Sequence, residues 1–266
     1  MVAFAPTLAR PPLNQSIQKA IALLRQASVN PEGASVSALA RSTGLPRATA
    51  LRLIQTLEAE GLLIRLPEQD RVLLGPELVR LARQVDVATV LREVAGARLG
   101  ALGDAVRETI TLSIMSQDGD LDLVQQISGP QHLVPRSWVG QRFPLHASSS
   151  GKILLSTYDE ARVSQLLPRP LPALTPHTIT TRRGLRRELD QVRDNGFAVT
   201  VDELEEGLSG VSLGVFGDGN TLLGIVNISG LSQRLDQTAR ERAVEQARPV
   251  IREIELALRR DPAGIT

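Results

Sequence analysis

The chain has 266 residues, 42% hydrophobic and 22% charged, which is enough for two modest domains with cores of their own and argues against disorder. It holds no cysteine, which excludes disulfides and thiolate metal sites and is compatible with the cytoplasm, the expected location. No apolar run approaches membrane-spanning length, and the N-terminus is too short and poorly charged for a signal peptide. A net charge of +1 excludes a general nucleic-acid sponge, yet residues 1–75 carry eight Arg and Lys against five Asp and Glu, a mild local basicity that suits a reader of specific DNA.

Residues 1–12 read as a flexible tail, with Pro6, Pro11 and Pro12 preventing regular structure. Asn14 can cap a helix whose apolar face is Ile17, Ile21, Leu23 and Leu24 and which ends near Ser28; residues 30–33 form a turn. Ser35 or Ser37 can cap the next helix, which carries Leu39 and Ala40 inward. Gly44 follows where the chain must turn sharply, Leu45 plugs the corner, and Pro46 fits the first turn of another helix, where its missing N–H costs nothing. That helix repeats apolar residues at Ala50, Leu53, Ile54 and Leu57. Together these predict a helix-turn-helix over residues 36–61.

The opposite face of the second helix holds Arg47, Thr49, Arg52, Gln55 and Thr56, which can donate to phosphates or base edges in the major groove. Ser35, Pro46 and Ala48 join them as expected DNA contacts. Arg52 either meets DNA or holds a carboxylate within the domain. A helical hairpin that only dimerised would carry apolar residues on this face. Two short apolar runs around Pro67–Arg71 then predict a hairpin placed as a wing, with Arg65 and Arg71 against the phosphate backbone. The expected DNA-binding domain is a winged helix over 13–75.

Pro76 can open a linker helix through Leu78, Val79, Leu81, Ala82 and Val85 to about Val90. A second domain is expected over 91–262, opening with a helix at 91–107. Strands are predicted at 109–115, 121–127 and 132–139, then a helix at 152–156, another after Asp159 to about 167, a surface loop at 168–184, and an amphipathic helix at 185–195 closed by Gly196. A strand at 197–201, an acidic stretch at 202–207, a hairpin joining 211–216 to 222–228 and a long helix at 236–260 complete it. Strands flanking a helical middle give an α+β domain with one mostly antiparallel sheet and helices packed on it. There is no internal repeat.

No chemistry of catalysis or metal binding is expected. Ser148-Ser149-Ser150-Gly151-Lys152 lacks the first glycine of a phosphate loop and has Ile153 where a hydroxyl must hold magnesium, so it reads first as a helix cap whose free N–H groups could also hold a carboxylate. Asp202, Glu203, Glu205 and Glu206 match no metal loop and read as a solvated segment. His146 beside Ser148 lacks a nucleophile elbow and a carboxylate partner; His132 and His177 are scattered, and Trp138 reads as core.

Three stretches in this order and spacing resemble the IclR family of bacterial transcriptional regulators: residues 36–61, residues 140–152 (Gly-Gln-Arg-Phe-Pro-Leu-His-Ala-Ser-Ser-Ser-Gly-Lys), and residues 195–231, from Asn-Gly-Phe-Ala-Val to Ile-Val-Asn-Ile-Ser-Gly-Leu. The resemblance covers residues 14–260. It implies a winged helix joined by a helix to a GAF-like effector-binding domain, a homodimer or dimer of dimers, double-stranded operator DNA and a small-molecule effector as partners, no cofactor, and control of a catabolic operon. The effector site implied at matching positions is Leu133, Ser149, Ser150, Thr200, Gly210, Asn227 and Ser229. Family members that bind small keto acids such as glyoxylate have an acid where Thr200 stands, cysteine at Gly210 and Gly-Ala at Ser149-Ser150. The departures imply a larger effector, an aromatic or longer-chain acid. The alternative is a metabolite-binding protein or enzyme whose N-terminal helices only oligomerise.

Overall fold

The computed structural model describes residues 13–116, 119–129 and 144–259. The chain divides into two compact units at Asp86/Val87.

The first unit is built from α1 (Gln15–Val29), α2 (Val36–Ser42), α3 (Arg47–Ala59), a hairpin of β1 (Leu63–Leu66) and β2 (Arg71–Leu74), and α4 (Glu77–Ala82). Its core gathers Leu23 and Ala27 of α1, Leu39 and Ala40 of α2, Ala50, Ile54 and Leu57 of α3, and Leu63 and Val72 of the hairpin. The inward face of α1 differs from the expected one. Leu23 and Ala27 are enclosed with Ala20 and Leu24 beside them, whereas Ile17 is 58% exposed and Ile21 43%. Positions 20, 23, 24 and 27 form one helical stripe; Ile17 and Ile21, four residues apart on α1, face solvent, as does Leu13 just before the Asn14 cap. The helix after Pro76 also differs. It stops at Ala82, and Asp86, a favoured capping residue, stands just before a new helix, α5 (Val87–Val106). The β-branched Val85 and Val87 are poor residues with which to carry one helix through this point.

The second unit holds one five-stranded antiparallel sheet in the order β4-β3-β7-β6-β5, from β3 (Thr109–Met115), β4 (Leu121–Ile127), β5 (Phe197–Val201), β6 (Leu208–Phe216) and β7 (Leu222–Leu231). Side chains alternate across it, so each strand serves two layers. Ile110, Leu112, Val211, Leu213, Val226 and Ile228 pack on one side with α5 and α9 (Gln237–Arg259). Ala198 and Ile225 face the other side with α6 (Ser149–Ser156), α7 (Glu160–Leu166) and α8 (Arg182–Asn195). The expected tail 1–12 and strand 132–139 lie outside the described residues.

The helix that opens the 144–156 segment begins at Ser149, three residues before the expected start. Ser148 is the cap, its Oγ accepting from Gly151 N–H at 3.1 Å. The serines therefore form the first turn of α6 rather than a loop before it. Gly151 lies directly under the Leu145 backbone: an added Cβ would sit 2.3 Å from the Leu145 carbonyl oxygen and 2.4 Å from its Cα. This close approach sets the helix start against the sheet. We expect Gly151→Ala to lower stability by about 1–3 kcal/mol through overpacking, read as the urea midpoint of unfolding; a parental midpoint would contradict the packing described.

Candidate DNA-binding face and effector site

In the first unit, Ser35 Oγ accepts from Ala38 N–H at 3.1 Å and so caps α2. Gly44 adopts φ +67°, and Leu45 N–H donates to Ala40 carbonyl at 2.9 Å, closing the sharp turn. Leu45 packs on the core, which fixes α3 against α2. The outward face of α3 then presents Pro46, Arg47, Ala48, Arg52 and Gln55, all exposed, with Thr49 half-buried. Positions 48, 52 and 55 share one stripe. Arg47 Nε donates to Ser37 Oγ at 3.1 Å, leaving its terminal nitrogens outward of that bond. Arg52 makes no ion pair among the described residues, so the internal carboxylate considered for it is not seen there.

The two wing arginines are engaged internally. Arg65 Nε lies 3.5 Å from Glu58 Oε2 on α3. Arg71 donates to Gln69 Oε1 at 3.1 Å and lies 3.4 Å from Glu32 Oε2. Both pairs tie the wing to helical or turn segments of the same unit, and both are exposed enough to exchange partners.

In the second unit the sheet brings most of the expected effector residues onto one face. Register places Thr200, Gly210, Ser229 and Thr109 on one rung, and Ala198, Ser212, Asn227 and Thr111 on the next. The first turn of α6 lies over them. Ser212 Oγ donates to Ser149 Oγ at 2.9 Å, Ser149 Oγ donates to Asn227 Oδ1 at 3.1 Å, and Ser150 Oγ is 3.1 Å from Ser212 Oγ. Each hydroxyl has one proton. The chain that uses each once runs Ser150 to Ser212 to Ser149 to Asn227, whose Nδ2 reaches Thr111 Oγ1 at 3.4 Å. Ser149, Ser150, Ser212 and Thr200 are buried. A Cβ on Gly210 would stand 3.0 Å from Ser149 Oγ, 3.2 Å from Asn227 Oδ1 and 3.3 Å from Thr200 Oγ1, so glycine keeps open the point where three oxygens converge. Leu133 lies outside the described residues. Ser212, fully enclosed at the centre of the chain, escaped the sequence reading because nothing in a β-strand marks one buried serine among others; its register opposite Asn227 marks it.

Lys152 was also missed. It is fully buried on α6, and its ammonium donates to Glu203 at 2.6 Å, to Glu188 of α8 at 3.1 Å and to the Val199 carbonyl at 3.3 Å. The acidic stretch at 202–207 is therefore not simply solvated: Glu203 is 7% exposed and folds inward to meet this lysine. A lysine one turn inside a capped helix attracts notice only as a failed phosphate loop, and its carboxylate partners lie 36 and 51 positions away. His146 is buried with Nε2 2.9 Å from the Pro172 carbonyl, a structural contact. No group of three or more His, Cys, Asp or Glu among the described residues could hold a metal.

Burial pushes the Glu203 carboxyl up from its ordinary range, and the Lys152 ammonium opposes that. Lys152→Met should remove the opposition and cost about 3–5 kcal/mol at neutral pH, with the double variant Lys152→Met/Glu203→Leu recovering most of it. In the single variant folded Glu203 keeps its proton at a pH where the unfolded chain has released it. Stability is then fullest below the ordinary glutamate range and is lost as pH rises through the elevated value. Urea midpoints at pH 5 and pH 8 should show the larger deficit at pH 8; equal deficits would mean that Glu203 is not the group left exposed to burial.

Comparison with known proteins agrees with both halves of this geometry. The helix-turn-helix domain of IclR matches residues 16–67, and the C-terminal domain of the bacterial transcriptional regulator IclR matches residues 83–256. HTH-type transcriptional regulator Rv1719 of Mycobacterium tuberculosis is 37% identical, over 74% of this chain and 75% of its own. XynR of Escherichia coli is 27% identical over 85% and 89%. Among solved structures, an IclR homolog complexed with 4-hydroxybenzoate from Microbacterium hydrocarbonoxydans aligns with a TM-score of 0.57 at 26% identity, covering 91% of this chain and 98% of that one. No helix among the described residues is long and apolar enough to cross a membrane. The chain belongs to the IclR family of bacterial transcriptional regulators, a helix-turn-helix domain followed by an effector-binding domain, and is a regulator rather than an enzyme.

Proposed function

We propose that this regulator binds a near-palindromic operator as a homodimer or dimer of dimers, with α3 in the major groove, and that a small organic acid seated at the Ser149–Asn227 cluster shifts its affinity for DNA. The observation that carries the reading is the outward face of α3: exposed, polar and cationic, with Arg52 free of any ion pair among the described residues. A helix that served only to oligomerise would present apolar side chains there. Ile17 and Ile21, exposed on α1, with Leu13 exposed just before its cap, support pairing of two such units, because exposed aliphatic residues gain from meeting their own copy. Arg47 and Arg52 are the expected base or phosphate contacts, supported by Ser35, Pro46, Ala48, Thr49 and Gln55; Arg65 and Arg71 would exchange Glu58 and Glu32 for phosphates.

The effector reading rests on what the cluster contains. Gly210 adds no side chain where the Ser149, Asn227 and Thr200 oxygens converge, and Thr200 contributes a hydroxyl in place of a carboxylate. Such a site suits an acid larger than glyoxylate, and an aromatic acid such as the 4-hydroxybenzoate bound by the similar Microbacterium regulator is the proposed class. Ligand oxygens would compete for the protons that now run from Ser150 to Asn227, while Thr200 and Ser229 would supply further hydroxyls. By linkage, whatever the effector does to DNA affinity DNA does equally to effector affinity. The target is proposed to be a catabolic operon.

Selection of bound fragments from genomic DNA by the purified protein at near-physiological salt should recover a recurrent near-palindrome. On that site Arg47→Ala and Arg52→Ala should each weaken binding about tenfold, reduce the salt dependence and leave the unfolding midpoint unchanged. Absence of enrichment both with and without pooled organic acids would sink the reading. Calorimetry separates the effector classes: an aromatic or longer-chain acid should bind, and tight binding of glyoxylate or pyruvate would exclude the larger-acid proposal.

A further inference from the structure

A cavity of about 810 Å³ lies among α7, α8 and the segment that joins them, and shares no residue with the Ser149–Asn227 cluster. Tyr158, at its edge, follows the C-terminal end of α6, whereas the cluster surrounds the N-terminal end. The eight residues of α6 put about 12 Å between the two. The volume falls within the range of small-molecule sites.

Its floor is apolar. Val163 of α7, Leu171, and Leu185 and Leu189 of α8 all line it. Four arginines and three carboxylates stand around this floor, and most are already matched. Arg186 pairs with Glu160, and Arg193 pairs with Asp190 while its other nitrogens donate to the Ser156 and Tyr158 carbonyls. Asp159 accepts from Arg162 N–H as the cap of α7. Two cations remain without a carboxylate among the described residues, Arg169 and Arg182. Arg182 donates through Nη2 to the Leu167 and Pro168 carbonyls, but its Nη1 is enclosed and has no acceptor. A guanidinium is the side chain best matched to a carboxylate or sulfonate. Apolar floor and surplus positive charge describe a complement for a ring or short hydrocarbon that ends in an anion.

From this we infer that the α7–α8 groove is a second ligand site, separate from the effector cluster, for a small amphipathic organic anion held by Arg169 and Arg182 over the leucine floor. The inference is independent of the DNA-binding reading and of the identity of the effector. A ligand there would touch α8, the helix whose Glu188 holds Lys152 and whose Arg193 holds the end of α6.

The test is a fluorescence titration of the full chain with anilinonaphthalene sulfonate, an aromatic sulfonate of suitable size. Saturable binding at one site per chain is expected. Arg169→Gln, which breaks no hydrogen bond or ion pair among the described residues, should weaken it about tenfold. Ser164→Trp, at a half-buried groove position, should abolish it with an unchanged unfolding midpoint. Thr200→Val, an isosteric change in the effector cluster, should leave it unaltered. Arg182→Gln is the less clean variant because Arg182 also holds the Leu167–Pro168 backbone, so Arg169 and Ser164 decide the matter. Non-saturable binding, binding indifferent to Arg169→Gln and Ser164→Trp, or binding lost in Thr200→Val would each overturn the proposal.

Discussion

The Lys152 ammonium is shut away from water, and an isolated buried charge would be intolerably costly. It is held because three segments converge on it: Glu203 from the turn after β5, Glu188 from α8 and the Val199 carbonyl from β5 itself. Much of the second unit follows from this convergence. α6 cannot slide without stranding the charge, so its first turn stays over the sheet, and the serines of that turn meet Asn227 and Ser212. α8 cannot rotate without losing Glu188, so the α7–α8 groove keeps its shape. Such a pair adds little net stability over apolar residues of the same shape. Its consequence is geometric: one arrangement of α6, β5 and α8 satisfies it.

The first unit depends on a different constraint, close approach of small side chains. Ala40 and Ala50 are both enclosed where α2 and α3 cross, Gly44 supplies the left-handed backbone between them, and Leu45 fills the angle. With the inner faces of both helices committed to packing, the outer face of α3 is left polar and solvent-facing. The position of Arg52 is thus a consequence of where Ala50, Ile54 and Leu57 must go. The hairpin is joined to the same body through a bridge between Ala34 and Val72, which carries Arg65 and Arg71 beside the helices.

The two units convert sequence into function by different routes. The polar face of α3 needs only its own local periodicity, displayed along thirteen consecutive residues. The serine–asparagine cluster draws Ser149 and Ser150 from a helix start, Ser212 and Asn227 from two paired strands, and Thr111 from a third. Its members lie up to 116 positions apart and are united by sheet register and by the seat of α6 on the sheet.

The sequence by itself determined the helix-turn-helix, the wing, the five described strands of the sheet and the cap at Gly196, because these follow from spacing of apolar residues, turn chemistry and backbone preference within a few residues. Through its resemblance to a known family it also picked out Ser149, Ser150, Thr200, Gly210, Asn227 and Ser229, which the fold brings together. Only the tertiary structure decided the rest. Which stripe of α1 turns inward depends on what α3 offers it, so Ile17 and Ile21 remained outside although they are as apolar as Leu23. Glu203 lies in the interior because a lysine 51 residues earlier meets it there. Burial of a charge is settled by its partner, and no local pattern records where that partner will be.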